Sequence, residues 1–309
     1  MQGLQNQMFA IFMLLVIMPN LVQQMMPYFT MQRALYEVRE RPSKAYSWKA
    51  FMLASIVVEL SWNTLMAAPV FFCWYYPIGL YRNASPTNSV IERGGTMFLL
   101  ILIFLMFAST FGSMVIAGIE NPDTGSNIAQ LLFSMCLIFN GYVTFSPLHV
   151  HFAGRKLGLT LSLSLFFFRV LATPEALPGF WIFMYRVSPF TYLISAVLST
   201  GLARNDVECS SIELLHIPPP DGQNCSSYLG PYVEQAMGKL INPEARSDCQ
   251  VCSLSQTDQF LAGVSIYYSD RWRNIGLLFA YIGFNAVAAV FLYWLVRVPK
   301  KRTRKTKTE

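Results

Sequence analysis

Charge is scarce in this sequence. Asp, Glu, Lys and Arg make up only 13% of its 309 residues, against 54% apolar and 15% aromatic residues. Several runs reach the ~20 apolar residues needed to cross a bilayer, which excludes an ordinary soluble domain and predicts an integral membrane protein. Other absences narrow the chemistry. No Gly-x-x-x-x-Gly-Lys-Ser/Thr phosphate loop occurs, and Gly154-Arg155-Lys156 lacks its spacing, so the chain is not expected to bind or hydrolyse ATP by itself. His149 and His151 stand two apart with no further ligand in register, so no metal centre is expected. No basic stripe interleaved with aromatics argues for nucleic acid. The net charge of +6 is a tail property, because Lys300, Lys301, Arg302, Arg304, Lys305 and Lys307 close the chain. The opening Met1-Gln2-Gly3-Leu4-Gln5-Asn6-Gln7 has no basic region, and no small-residue cleavage site follows, so no signal peptide is expected. The chain begins almost inside a span, as a fragment would.

What is there reads as an all-α, polytopic chain with about five spans, near 8–29, 50–76, 96–119, 127–140 and 274–296. Pro19 and Pro27 fall in the first, where neighbouring helices can satisfy the freed carbonyls. A dense charged patch, Arg33-Ala34-Leu35-Tyr36-Glu37-Val38-Arg39-Glu40-Arg41-Pro42-Ser43-Lys44, separates the first two spans. Arg33, Glu37 and Arg41 recur every four residues, so they are expected to share one helical face until Pro42 ends the turn. Basic segments favour the cytosol. The patch at 33–49 and the tail at 298–309 are therefore expected inside, and the loop at 77–95 and the segment at 203–273 outside.

The cysteines agree with that orientation. Cys209, Cys225, Cys249 and Cys252 lie in the expected outer segment, where disulfides persist, whereas Cys73 and Cys136 fall within spans. Four cysteines allow three pairings, and spacing does not choose among them. Asn83-Ala84-Ser85 and Asn224-Cys225-Ser226 are glycosylation sequons on the same side. Inside the second span Glu59 is an intramembrane ionisable group, a functional candidate by default. Asn63 lies one turn on and is placed to hydrogen-bond it. Two roles are open for this pair: a polar point at a helix interface or along a substrate path, and a structural pair near the membrane boundary.

The charged patch also carries a resemblance. Tyr36-Glu37-Val38-Arg39-Glu40-Arg41-Pro42-Ser43-Lys44-Ala45-Tyr46-Ser47-Trp48-Lys49-Ala50-Phe51 resembles the cytosolic link in the second membrane domain of fungal full-size ABC transporters of the pleiotropic drug resistance group. Leu4-Gln5-Asn6-Gln7-Met8-Phe9 looks like the entry to that domain's second helix. Val58-Glu59-Leu60-Ser61-Trp62-Asn63 looks like its third, with Ser61 where proline is usual. Ala172-Thr173-Pro174-Glu175-Ala176-Leu177-Pro178-Gly179-Phe180-Trp181 and Met184-Tyr185-Arg186-Val187-Ser188-Pro189 resemble its outer hairpin. Cys249-Gln250-Val251-Cys252, Asp258-Gln259-Phe260-Leu261 and Arg271-Trp272-Arg273-Asn274 resemble its final loop and helix.

The resemblance implies an ABC-2 type, ABCG-like transmembrane domain over 1–297. It implies the permease portion of an exporter of hydrophobic compounds, drugs or lipids, in the plasma membrane. Its partners would be the lipid bilayer, nucleotide-binding domains holding ATP and Mg, and a second membrane domain; this chain itself would hold no cofactor. Arg33, Glu37, Arg39, Glu40, Arg41 and Lys44 would form the coupling link. One stretch departs from the family: Tyr142 to Arg169. Gly141-Tyr142-Val143 can encode a fungal splice donor, Leu159-Thr160 a branch point, and Phe166-Phe167-Phe168-Arg169 a pyrimidine tract with its acceptor, so 142–169 is expected to be translated intron. A genuine insertion is the alternative. Two rival functions are an inert fragment of such a transporter and a membrane-embedded enzyme using His149, His151, Glu59 or Asp123. The scatter of those residues argues against the enzyme.

Overall fold

The structure, a computed structural model, describes residues 2–138, 179–220, 222–235 and 238–298. The first helices are α1 (Gln2–Leu15), α2 (Ile17–Leu35) with a π-helical turn at Tyr36–Glu40, and α3 (Trp48–Ile78). A 3-10 turn at Leu80–Ala84 leads to α4 (Val90–Ala117) and α5 (Pro122–Ile138). Then come α6 (Gly179–Val187), α7 (Pro189–Leu202), β1 (Leu215–Ile217), α8 (Cys225–Gln235), β2 (Lys239–Leu240) and β3 (Cys249–Cys252). The last elements are α9 (Thr257–Gly263), a 3-10 turn at Tyr268–Asp270, and α10 (Arg271–Arg297).

Among the described residues four helices are long and apolar enough to cross a bilayer: Asn6–Glu40, Trp48–Ile78, Val90–Ala117 and Tyr268–Arg297. The expected span at 127–140 falls on α5, which has 17 residues up to the end of that described stretch. The proposed intron at 142–169, with His149 and His151, lies outside the described residues, as does the tail beyond Val298.

The chain divides into two compact units, with boundaries between α1 and α2 and inside α3, α4, α5 and α10. The unit built from 1–16, 67–101 and 135–278 has α7 at its core. Every residue of α7 from Phe190 to Leu202 except Tyr192 is buried, so this helix is covered on all sides. Pro189 opens it at the first helical position, where the missing N–H is not needed. α7 packs against α1, the Leu80–Ala84 turn, α9 and the Tyr268–Asp270 turn. A buried hydrogen bond from Asn274 Nδ2 to Ser195 Oγ (3.0 Å) ties α10 to it.

The polar segment of the same unit folds around a three-stranded antiparallel sheet ordered β1-β3-β2, with Ile217 opposite Cys249 and Lys239 opposite Cys252. Cys225, Leu229 and Val233 on one face of α8 pack on Cys249 and Val251 of β3. A Cβ at Gly238 would come within 2.7 Å of the Cys252 carbonyl oxygen, so only glycine lets the chain enter β2 that close to β3. Cys209 bonds Cys252 and Cys225 bonds Cys249, while Cys73 and Cys136 are free thiols. So small a sheet cannot hold itself together by apolar burial alone.

The unit built from 17–66, 102–134 and 279–309 contains α2, the first part of α3, the end of α4, most of α5 and the end of α10. Asn121 Oδ1 accepts from the Asp123 amide (2.9 Å) and starts α5, with Pro122 in the first turn. Met18, Val22, Met26 and Phe29 form the buried stripe of α2. At Gly125 a Cβ would lie 2.7 Å from Ile116 Cδ1 and 3.1 Å from Met26 Sδ, so α5 passes close to α2 and α4.

The sheet segment should depend on its two crosslinks, which close loops of 43 and 24 residues. Loops of that size stabilise by about 3–4 kcal/mol each in the chain-entropy picture. Peptide mapping without reduction is expected to recover Cys209–Cys252 and Cys225–Cys249 and to find alkylation only at Cys73 and Cys136. Cys225→Ser should render 203–270 protease-sensitive.

Candidate coupling site at the end of α2

A helix that ends at a membrane boundary leaves four carbonyls without intrahelical partners. α4 ends at Ala117, and a buried side chain from α2 meets its open carbonyls. Arg33, only 4% exposed, donates from Nη1 to the Ile116 carbonyl (2.8 Å) and from Nη2 to the Glu120 carbonyl (3.2 Å). A cation at a helix C-terminus also complements the negative end of the dipole. The Phe29 ring, one turn back on α2, lies 5.7 Å from the guanidinium and shields it.

Beyond Arg33 the helix widens into its π turn. The Arg41 amide bonds the Tyr36 carbonyl (2.8 Å) and the Ala45 amide bonds the Glu40 carbonyl (3.3 Å), both five residues back. Tyr36 is buried and stacks on Phe51 of α3, with ring centroids 4.7 Å apart and planes 5° apart. Tyr293 of α10 lies 6.2 Å from Phe51 and 6.1 Å from Trp48. The aromatic cluster holds α2, α3 and α10 together inside this unit, and the charges sit on its rim.

On that rim Tyr293 donates its hydroxyl to Glu37 Oε1 (3.2 Å). Arg297 pairs with Glu120 at 3.2 Å and with Glu37 at 3.8 Å. Arg41 Nη1 donates to the Arg297 carbonyl (2.9 Å), closing the end of α10 as Arg33 closes the end of α4. Arg297 Nε and Nη2 are buried and have no acceptor among the described residues. In the short turn that follows, Tyr46 donates to Glu40 Oε2. That bond, then burial, push the Tyr46 phenol up to about 12. The contact therefore persists through neutral pH and is lost as pH rises from 10 towards 12.

The expected coupling residues divide. Arg33, Glu37 and Arg41 converge on the ends of α4 and α10, and Glu40 closes the turn on Tyr46. Arg39 and Lys44 are exposed, and their side chains make no hydrogen bond or ion pair among the described residues. The patch is also not a free link from residue 33 onward. Residues 33–40 prolong the membrane helix, because Arg33 and Tyr36 are buried, and only 41–47 form the turn. Glu120, Tyr293 and Arg297 were missed by sequence reasoning. Their faint signal is an acid just past α4 and a Tyr–Arg pair four apart at the end of the last span.

Elsewhere Asn63 Nδ2 donates to the Glu59 backbone carbonyl (2.7 Å), not to its carboxylate, so the expected side-chain pair does not form. Asn83 Nδ2 is committed to Gln7 Oε1 (2.9 Å) and the Gly201 carbonyl (3.0 Å). Asn224 caps α8, its Oδ1 accepting from the Ser227 amide (2.9 Å). In the first unit a cleft of about 480 Å³ is lined by Asn6, Gln7, Asn83, Asp206, Glu208 and Glu213 among others. Among the described residues no three His, Cys, Asp or Glu side chains are placed to hold a metal.

The profile of the ABC-2 type transporter family matches residues 1–153. ABC multidrug transporter A-2 of Aspergillus fumigatus is 72% identical over all 309 residues, which are 19% of that relative. This chain belongs to the ABC-2 type transporter family. ABC multidrug transporter atrH of Aspergillus oryzae is 67% identical over 98% of the chain, and AFR2 of Cryptococcus neoformans is 51% identical over 100% of it. The chain spans about a fifth of the length of these relatives (18–19%). The long apolar helices agree with that membership.

Two expectations test the geometry of this ABC-2 domain. Arg33→Ala leaves the buried Ile116 carbonyl with the Ile119 amide alone and removes the bond to the Glu120 carbonyl, and should destabilise the domain by about 1–3 kcal/mol. Arg33→Lys should recover only part of it, because a lysine lacks the planar fork; denaturant unfolding in detergent measures both. In a glycosylating host, the glycosidase-sensitive mobility shift should disappear with Asn224→Gln and persist with Asn83→Gln.

Proposed function

We propose that this ABC-2 domain is the permease portion of an ATP-driven exporter of hydrophobic compounds or lipids, in the plasma membrane. The observation that carries the reading is the convergence of Arg33, Glu37 and Arg41 on the ends of α4 and α10. A push on the turn at 41–47 reaches two membrane helices through bonds of fixed direction. Nucleotide-binding domains outside this chain would supply that push by hydrolysing ATP with Mg. The helices would then pass between inward-facing and outward-facing arrangements. The domain itself performs no catalysis in this scheme, and Arg39 and Lys44, exposed beside the turn, are free to meet an acidic surface on the motor. The turn and the tail lie on the cytosolic side, and 79–89 and 203–270 lie outside. The relatives at 51–72% identity, whose names describe multidrug transporters, support this choice of cargo.

A second reading, an inert fragment, draws on the fifth of a relative's length that the chain spans. One experiment addresses both. Expressed alone in an efflux-deficient yeast, the chain should give no energy-dependent efflux. Substituted for the matching segment of the Aspergillus fumigatus A-2 transporter, it should restore efflux of a hydrophobic dye. Glu37→Ala in that chimera should lower efflux severalfold while surface abundance is unchanged. A chimera that reaches the membrane and moves nothing would leave the fragment reading standing.

A further inference from the structure

α4 and α10 both begin at the edge of an apolar stretch long enough to cross a bilayer, and cations crowd the place where they start. Three arginines surround the ring of Tyr268. The guanidinium carbon of Arg271 lies 3.8 Å from the ring centroid, that of Arg204 4.3 Å and that of Arg93 5.6 Å. All four residues belong to the unit built from 1–16, 67–101 and 135–278. The electron-rich face of a phenol attracts a cation, but one ring does not neutralise three charges.

The carboxylates nearby are already committed. Glu92 in the first turn of α4 pairs with Arg271 (2.6 Å), and Asp270 pairs with Arg273 (3.0 Å). Asp258 Oδ1 accepts from the backbone amide of Arg204 (2.8 Å). Among the described residues no carboxylate pairs with the guanidinium of Arg204 or of Arg93. Arg93 is 3% exposed and donates from Nη1 to the Ala203 carbonyl (2.7 Å) and from Nη2 to Thr87 Oγ1 (3.3 Å). Its Nε, like that of Arg271, is buried with no acceptor among the described residues. The first turn of α10 carries Arg271 and Arg273 and no acid, so two cations stand at the positive end of a helix dipole. Arg204 lies just past the end of α7, exposed, in the left-handed conformation (φ 60°) that glycine usually fills there. A long cationic side chain is kept at that position at a cost in backbone strain.

An excess of guanidinium over carboxylate, with orphaned donors in it, is complementary to an anion rich in acceptor oxygens, and the planar fork of arginine suits phosphate. The surroundings indicate which phosphate. Trp272, Tyr267 and Ile91 are exposed beside the cluster, and amphipathic aromatics at the start of a span sit at the level of lipid headgroups. We propose that Arg204, Arg271 and Arg93 around Tyr268 form a site for the phosphate of an anionic phospholipid headgroup, at the membrane surface where α4 and α10 begin. Arg204 is the member open to the headgroup, and Arg271 and Arg93 set the positive potential behind it. Trp272 and Tyr267 border the glycerol and the upper acyl chain. Arg93 already holds the Ala203 carbonyl and Arg271 holds Glu92, so a lipid here joins the starts of α4 and α10 to the end of α7. The site needs only a membrane surface at that height and is independent of what the domain exports.

The test is a native mass-spectrometric titration of the purified full chain in non-ionic detergent, with phosphatidylglycerol and phosphatidylcholine of identical acyl chains. The wild-type chain should hold one phosphatidylglycerol severalfold more tightly than phosphatidylcholine. Arg204→Gln should weaken phosphatidylglycerol by about five- to tenfold, the scale of one basic side chain at a lipid surface, and leave phosphatidylcholine unchanged. Arg204→Lys should keep part of the preference. Lys239→Gln, which removes an exposed cation from β2 of the same unit, should keep all of it; neither depends on Arg204→Gln folding. A large molar excess of inorganic phosphate should not displace the lipid. Equal affinity for the two lipids, or an unchanged preference in Arg204→Gln, overturns the proposal. An equal loss with Lys239→Gln overturns it as well, because attraction then follows net charge alone. Displacement by inorganic phosphate assigns the cluster to a free anion and removes the lipid from it.

Discussion

A buried guanidinium at the end of α4 governs one half of this molecule. Hydrocarbon offers no hydrogen bonds, so each membrane helix must satisfy its own backbone and hand its last carbonyls to something at the boundary. Arg33 takes the carbonyls of Ile116 and Glu120, and Arg41 takes that of Arg297. Both come from one helix, α2 and its π continuation, so two helix ends are tied to a single rod. The widened turn is what allows it, since i→i+5 bonding re-aims Arg41 relative to Arg33 while keeping Tyr36 on Phe51.

Removing one partner of a buried charge costs far more than the pair gains. The rim of Glu37, Glu120, Tyr293 and Arg297 is therefore best understood as a set of constraints on geometry. Arg297 is pulled by two carboxylates at unequal distances and keeps two buried donors unsatisfied. A polar network in that condition holds one arrangement without being locked into it.

The other unit solves a different problem. Its polar segment has a sheet with strands of two to four residues, too little to fold by burial alone. Two disulfides, the α8 face of Cys225, Leu229 and Val233, and the close approach at Gly238 replace the missing core. α7 supplies the remainder, an apolar helix buried on every side and anchored by the Asn274–Ser195 bond. Sequence patterning marks this helix poorly, because a helix covered all round has no polar face to reveal its period.

Much of the architecture was legible in one dimension. Crossing a bilayer depends on some twenty contiguous residues lacking charge, a property read directly along the chain, and four of the expected spans coincide with long helices. The cysteines of 203–273 and the Arg33–Glu37–Arg41 spacing were visible for the same reason, being local. What only the tertiary structure decided was which polar groups meet. Arg33 finds a carbonyl 83 residues away, Glu37 a hydroxyl 256 residues away, and Cys209 a partner 43 residues away. Asn63 turned to its own helix's backbone instead of the Glu59 carboxylate, because a carbonyl one turn back is already in reach. Spacing along a chain encodes the period of a helix; it does not encode which helix ends arrive at the same place.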